Sequence, residues 1–191
     1  MLVTLLITAV LLWSALHLFP SLLPGTREDL MKRLGAGPYR GLFALSILAS
    51  IVLMVFGWKS AVIEPVYVPP LFGSPIITGM MLLSFILFAA ANAPGNIKRF
   101  LRHPMLSGMA LWSGAHLLAN GDNRSVVLFG GLGLWAIVAM LTINRRDGAR
   151  EKPAAVAFPK DLMTIVAAAV IFAIVIYFHE AVIGVSPLPG F

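Results

Sequence analysis

Six long apolar runs, separated by short polar stretches, organise the chain: about Leu2–Phe19, Gly41–Trp58, Pro75–Asn92, Pro104–Ala119, Ser125–Ile143 and Leu162–Gly184. A transmembrane helix needs roughly 20 apolar residues, with about 17 near the lower limit. The fourth run is short, so Arg102 and Asn120 must reach the interfaces from its ends. Strict alternation of apolar and polar positions is absent, which disfavours a membrane β-barrel. Inside lipid, only a helix then satisfies each run's backbone polar groups. Pro20 stops the first run, whereas Pro75 and Pro104 open the third and fourth, where a first helical turn tolerates proline. The pattern predicts an all-α, polytopic membrane protein: a six-transmembrane-helix bundle forming a single domain over residues 1–191, without an internal repeat.

Composition agrees. Hydrophobic residues make up 59% and charged residues 12%, against about 25% charged in soluble domains. The mean hydropathy is +0.92. Soluble enzyme folds and intrinsic disorder are excluded, and no nucleic-acid partner is expected despite the net charge of +6. With no cysteine, thiolate ligands, Cys nucleophiles and disulfides drop out.

The basic residues orient the bundle. Twelve of the 14 Lys and Arg fall after the first, third and fifth runs, and only Lys59 and Arg124 lie on the other side. The positive-inside rule places those three loops in the cytoplasm and both termini outside, which in a bacterium means the inner membrane and periplasm. The first run has no basic n-region and is followed by Arg27, Lys32 and Arg33, so it reads as a mature helix rather than a signal peptide. The Pro-rich outer stretch Ile63–Pro70 reads as a stiff connector or as a lid over an outer pocket. Asn120-Gly121-Asp122 has the chemistry of a turn.

Ionisable residues inside a membrane are costly and mark candidate sites. On this topology His17 and His103 lie toward the cytoplasmic side, and His116 and His179 toward the outer side. His103 and His116 are separated by about 20 Å along one helix. Imidazole ligates haem iron and metals, and a haem needs two axial nitrogens at one depth. Depth therefore pairs His116 with His179, or His17 with His103; interfacial hydrogen bonding is the plainer alternative for each. Trp112 shares a helix face with His116, extended by Ser113 and Asn120. That face is either packed aromatic core or one wall of a site for a flat ligand. Glu180 and Asp122 are near enough in sequence to orient His179 and His116. Small residues, Ser107, Ala110 and Gly114 in run four and Gly130, Gly131 and Gly133 in run five, allow close helix approach.

The block Arg102–Asp122, with Leu34-Gly35, Tyr39-Arg40, Leu42-Phe43 and the ending His179 … Gly184-Val185-Ser186-Pro187, resembles the NnrU family over nearly the whole chain. The resemblance implies a bacterial inner-membrane protein associated with nitric oxide and nitrite metabolism. That family is similar to plastid zeta-carotene isomerase, a membrane protein whose haem b is held by histidines. By that likeness His116 and His17 stand at axial positions, and His179 matches a C-terminal histidine, followed here by Glu180 rather than Pro. The resemblance thus pairs His116 with His17, whereas depth pairs it with His179. The implied cofactor is haem b, with His116, His179 and His17 as iron ligands and His103, Trp112 and Arg102 as further cofactor contacts.

Arg102-His103-Pro104 with Gly108 also resembles isoprenylcysteine carboxyl methyltransferases and sterol reductases, which implies S-adenosylmethionine as an alternative cofactor. The Glu-Glu element of those methyltransferases is missing, since the fifth run ends in Asn144-Arg145-Arg146-Asp147. Arg99 and Arg102 also read as anchors for anionic membrane lipid. A third reading is a non-enzymatic assembly factor whose partner is a respiratory-chain or nitric oxide/nitrite enzyme.

Overall fold

The computed structural model describes residues 3–70 and 74–187; Leu2, where the first apolar run opens, lies outside them. The described residues are all-helical, apart from an isolated bridge between Pro65 and Asp122. The helices are α1 (Thr4–Leu22), α2 (Pro24–Leu34), α3 (Ala36–Ser60), α4 (Ser74–Asn92), α5 (Ile97–Phe100), α6 (Pro104–Ala119), α7 (Asn123–Ser125), α8 (Gly131–Asp147) and α9 (Pro159–Ile183). A π-helical stretch, Val126–Gly130, joins α7 to α8 without a break in the helical path.

Five spans among the described residues are long and apolar enough to cross a membrane: α1, α3, α4, the continuous α7–α8 helix and α9. Only 17 to 22% of each apolar window is buried within the protein. Leu45, Phe56, Leu141 and Met163 are among the large apolar side chains left outward-facing, as a lipid-facing surface requires. At 16 residues α6 is shorter than these spans.

The apolar runs locate the helices well, with α6 occupying Pro104–Ala119 as expected. Several boundaries differ: α3 begins at Ala36 rather than near Gly41, and α8 runs on to Asp147 rather than Ile143. Pro20 does not end α1, which continues to Leu22. A proline near the C-terminus removes one hydrogen bond where the final carbonyls lack intrahelical partners anyway. The stretch expected as a loop after the first run folds into α2, which is mostly polar and has no buried residue. Gly35 ends α2 at φ 83°, a backbone conformation that favours glycine.

The chain forms two compact units: residues 1–69 with 120–148, and residues 70–119 with 149–191. In the first unit α1 packs on α3 and α8. Its core is Leu6, Ala9, Val10 and Met54, flanked by Trp13, Trp58 and Leu128. Lipid is as apolar as leucine, so close approach of backbones has to supply much of the packing energy. Gly57 shows this: a Cβ there would lie 2.7 Å from the Leu6 backbone nitrogen. At Gly131 it would lie 2.5 Å from Val10 Cγ1.

The first unit also contains the Pro-rich stretch, which is strapped to the turn before α7. Gly121 O accepts from the backbone N–H groups of Val66 (2.8 Å) and Tyr67 (3.1 Å). Asn123 N–H donates to Glu64 O at 2.9 Å, and the Tyr67 hydroxyl donates to Asn120 O at 2.8 Å. Asp122 caps α7, accepting from the backbone N–H groups of Arg124 and Ser125 and from the Ser125 hydroxyl at 2.6 Å. Arg124 lies 3.5 Å from the Asp122 carboxylate, and its guanidinium sits 4.5 Å above the Trp58 ring. Burial pushes the Asp122 carboxyl up, but the Ser125 hydrogen bonds and the Arg124 cation outweigh it and hold the group below the usual carboxylate range.

In the second unit α4 packs on α6 and α9. The buried Ser84 hydroxyl donates to Gly108 O at 2.7 Å, and a Cβ at Gly108 would press on the Phe88 ring at 3.0 Å. Phe85 meets Phe172 of α9 with ring centroids 5.3 Å apart. Asp161, in the first turn of α9, is 8% exposed and binds Asn96 through its backbone and side-chain N–H groups.

Candidate functional site: the tryptophan–histidine pairs

His116 lies one turn beyond Trp112 on α6. Its Nδ1 is 2.9 Å from the Trp112 carbonyl oxygen, and the two rings are 4.4 Å apart between centroids. A carbonyl only accepts, so Nδ1 carries the proton of the neutral imidazole and the lone pair lies on Nε2. That is the tautomer in which a histidine ligates through Nε2, with its other nitrogen held by an outer partner. The Ser113 hydroxyl, three residues before His116 on the helix, is 1% exposed and makes no hydrogen bond. Serine hydroxyls buried in helices ordinarily find an acceptor, so this one is a polar group without an internal use.

His179 of α9 belongs to the same unit as His116. Its Nδ1 is 2.7 Å from Val185 O, just past the α9 terminus at Gly184. This again puts the lone pair on Nε2. The expected carboxylate orienters are not the groups used. Nδ1 of His179 faces Val185 O rather than Glu180, Nδ1 of His116 faces Trp112 O, and Asp122 spends its oxygens on Arg124 and Ser125.

His17 lies in the other unit. Its Nδ1 is 2.9 Å from Trp13 O, its ring lies 3.9 Å from that of Trp13 at a 36° tilt, and Trp135 closes on it at 5.4 Å. Phe43 and Tyr39 continue the aromatic row. The Trp135 indole nitrogen and the Tyr39 hydroxyl are buried without hydrogen-bond partners.

His103 and Arg102 occupy another part of the second unit. With Lys98 and Arg150 they line a cavity of about 410 Å³ at the start of α6. Among the described residues no three of His, Asp or Glu gather into a metal-ion cage.

The shared geometry of His17 and His116 rests on a sequence likeness that a search for long repeats misses. Leu12-Trp13-Ser14-Ala15-Leu16-His17-Leu18 and Leu111-Trp112-Ser113-Gly114-Ala115-His116-Leu117 agree at five of seven positions. Each copy sets its imidazole against its tryptophan in a tilted ring contact and ties Nδ1 to the tryptophan carbonyl. The expectation of no internal repeat is corrected to this extent: a short motif occurs once in each unit.

Long apolar helices with outward-facing apolar surfaces and histidines embedded in them make this a helical membrane protein. A family model described as NnrU protein matches residues 5–187, and the chain belongs to the NnrU family. No curated protein and no solved structure matches it.

Proposed function

We propose that this protein is a haem b–binding member of its family, in which His116 and His179 would hold the iron. The observation that carries this reading is their common state: within one unit, each imidazole directs its lone pair to Nε2 by donating its Nδ1 proton to a backbone carbonyl. Two imidazoles suffice for a haem, whose macrocycle fills the other positions on the iron. The unpartnered Ser113 hydroxyl beside His116 fits an added group at this place. The pairing follows the depth argument rather than the resemblance, which offered His17.

The chain's own residues have definite tasks in this reading. The Trp112 carbonyl fixes the rotation of the His116 ring, and the Trp112 indole covers one side of it. Val185, beyond the end of α9, holds His179. The exposed apolar faces of α4 and α9 keep water away when lipid surrounds them. Haem bound here would supply a redox or ligand-binding centre, which suits a role in nitric oxide or nitrite metabolism or a redox-type isomerisation. The chain is placed in a bacterial inner membrane with six crossings, α6 being the short one, and with both termini outside.

The cavity at Arg102 and His103 lends little to a methyltransferase reading. S-adenosylmethionine is a net cation, whereas the charged lining residues Lys98, Arg102 and Arg150 are all basic. The test of the main reading is the absorption spectrum of detergent-purified protein from haem-supplemented cells, with haem counted per chain.

A further inference from the structure

We propose that the cavity at the start of α6 is a phosphate-binding site, taking the phosphate of an anionic phospholipid headgroup or of a soluble phosphate ester. Among the described residues it is lined by Ala91, Lys98, Arg102, His103, Pro104, Met105, Leu106, Arg150 and Pro153, none of them acidic. Three cationic side chains line one space, which favours an anion there. They come from separate parts of the chain: Lys98 from α5, Arg102 from the turn before α6, and Arg150 from the segment before α9.

Two further features make this a constructed pocket. Pro104, Met105 and Leu106 are the first turn of α6, so part of the wall is the N-terminus of a 16-residue helix. That end carries the positive pole of the helix and backbone N–H groups without intrahelical acceptors, a combination suited to phosphate. In addition, the segments bearing the cations are stapled together. The Asn96 side chain donates to Val156 O at 2.8 Å and accepts from Val156 N–H at 3.1 Å, two residues before Lys98 and three after Pro153. The backbone segments that carry Lys98 and Arg150 are therefore tied to each other near the pocket, which lowers the ordering cost of binding. Ala91, Met105, Leu106 and Pro153 add an apolar wall beside the charges, matching a molecule with a phosphate head and a glyceride body. A volume of about 410 Å³ is in the range of ligand pockets, about 300–1,000 Å³.

The experiment uses the full chain in detergent, offered equal amounts of phosphatidylglycerol and phosphatidylcholine and read by native mass spectrometry. Titration with inorganic phosphate forms the second arm. Arg102→Gln with Arg150→Gln is the test variant, Lys59→Gln the control, and Arg150→Gln alone the variant to use if the double change lowers helicity by circular dichroism. Wild-type protein is expected to retain phosphatidylglycerol over phosphatidylcholine, with about a tenfold weakening for each cation removed and none for Lys59→Gln. Binding of inorganic phosphate that is lost in the variant, without a lipid preference, upholds the pocket and assigns it to a soluble phosphate ester. Equal retention of both lipids with no phosphate binding overturns the proposal, as does wild-type behaviour in the folded variant.

Discussion

Asn96 and Asp161, 65 residues apart in the chain, are joined by two hydrogen bonds of 2.6 Å, one from the Asn96 backbone N–H and one from its side-chain amide, to the two carboxylate oxygens. The same amide group reaches Val156. One asparagine thus fixes the beginning of α9, the segment leading into it and the turn after α4. A Cβ on the preceding residue, Gly95, would lie 2.8 Å from Asp161 Oδ1, so the turn also needs glycine there.

Asp161→Ala is expected to lower stability by about 2–3 kcal/mol, since it leaves the Asn96 donors without their acceptor in a closed site. Asn96→Ala should cost a similar amount, and the double variant less than the sum of the two, because both remove one network. Thermal unfolding of the four proteins in one detergent, followed by circular dichroism, gives the comparison. Full additivity would show that the two residues do not act together.

Gly57→Ala tests close packing in the first unit. The added methyl would meet the Leu6 backbone, which cannot swing aside as a side chain can. A loss of about 1–3 kcal/mol is expected. Gly25→Ala in α2, where no atom lies within 4 Å of the added Cβ, should be close to neutral in the same unfolding measurement.

The strap over the turn before α7 should loosen in acid. Asp122 titrates below the usual carboxylate range in the folded protein because Ser125 and Arg124 favour its charged form against the opposing effect of burial. A folded-state pKa below the unfolded one stabilises at neutral pH, and the gain is lost as pH falls from about 4 through the lowered value. The protection of the Val66 and Tyr67 amides, measured against their intrinsic exchange rate at each pH, should therefore fall below that range in wild type. Asp122→Asn should exchange faster at neutral pH and lose the pH dependence. An identical pH profile in the variant would assign the effect to other groups.

The helices could be read from the sequence because lipid leaves a chain little choice: long apolar runs must become helices, and α6 begins and ends where Pro104 and Ala119 predict. The turn at Asn120-Gly121-Asp122 was legible from its own chemistry. The strap was not, because Gly121 and Asn123 bind residues more than 50 positions away through backbone groups that every residue possesses. Asp161 was equally hidden, since nothing in its neighbourhood names Asn96 as its partner. The histidines stood out as ionisable groups in apolar runs. Their tautomers did not, because these depend on backbone carbonyls, including Val185 O beyond the end of α9.

Trp135→Phe is expected to leave stability nearly unchanged or slightly raised. The ring contacts to Trp13 and His17 at 4.4 and 5.4 Å are largely kept, while a buried N–H without an acceptor is removed. A loss above about 2 kcal/mol would show that the packing of the full indole against Trp13 and His17 outweighs the relief of its unpartnered N–H.

The ligand assignment is tested most directly by the Soret absorption of purified wild type, His116→Ala, His179→Ala and His17→Ala proteins, each expressed with haem supplementation and checked for helicity. The account predicts a strong band in wild type, its loss or a marked shift in His116→Ala and His179→Ala, and its retention in His17→Ala. A wild-type protein without the band, or a band that survives unchanged without His116, would contradict it.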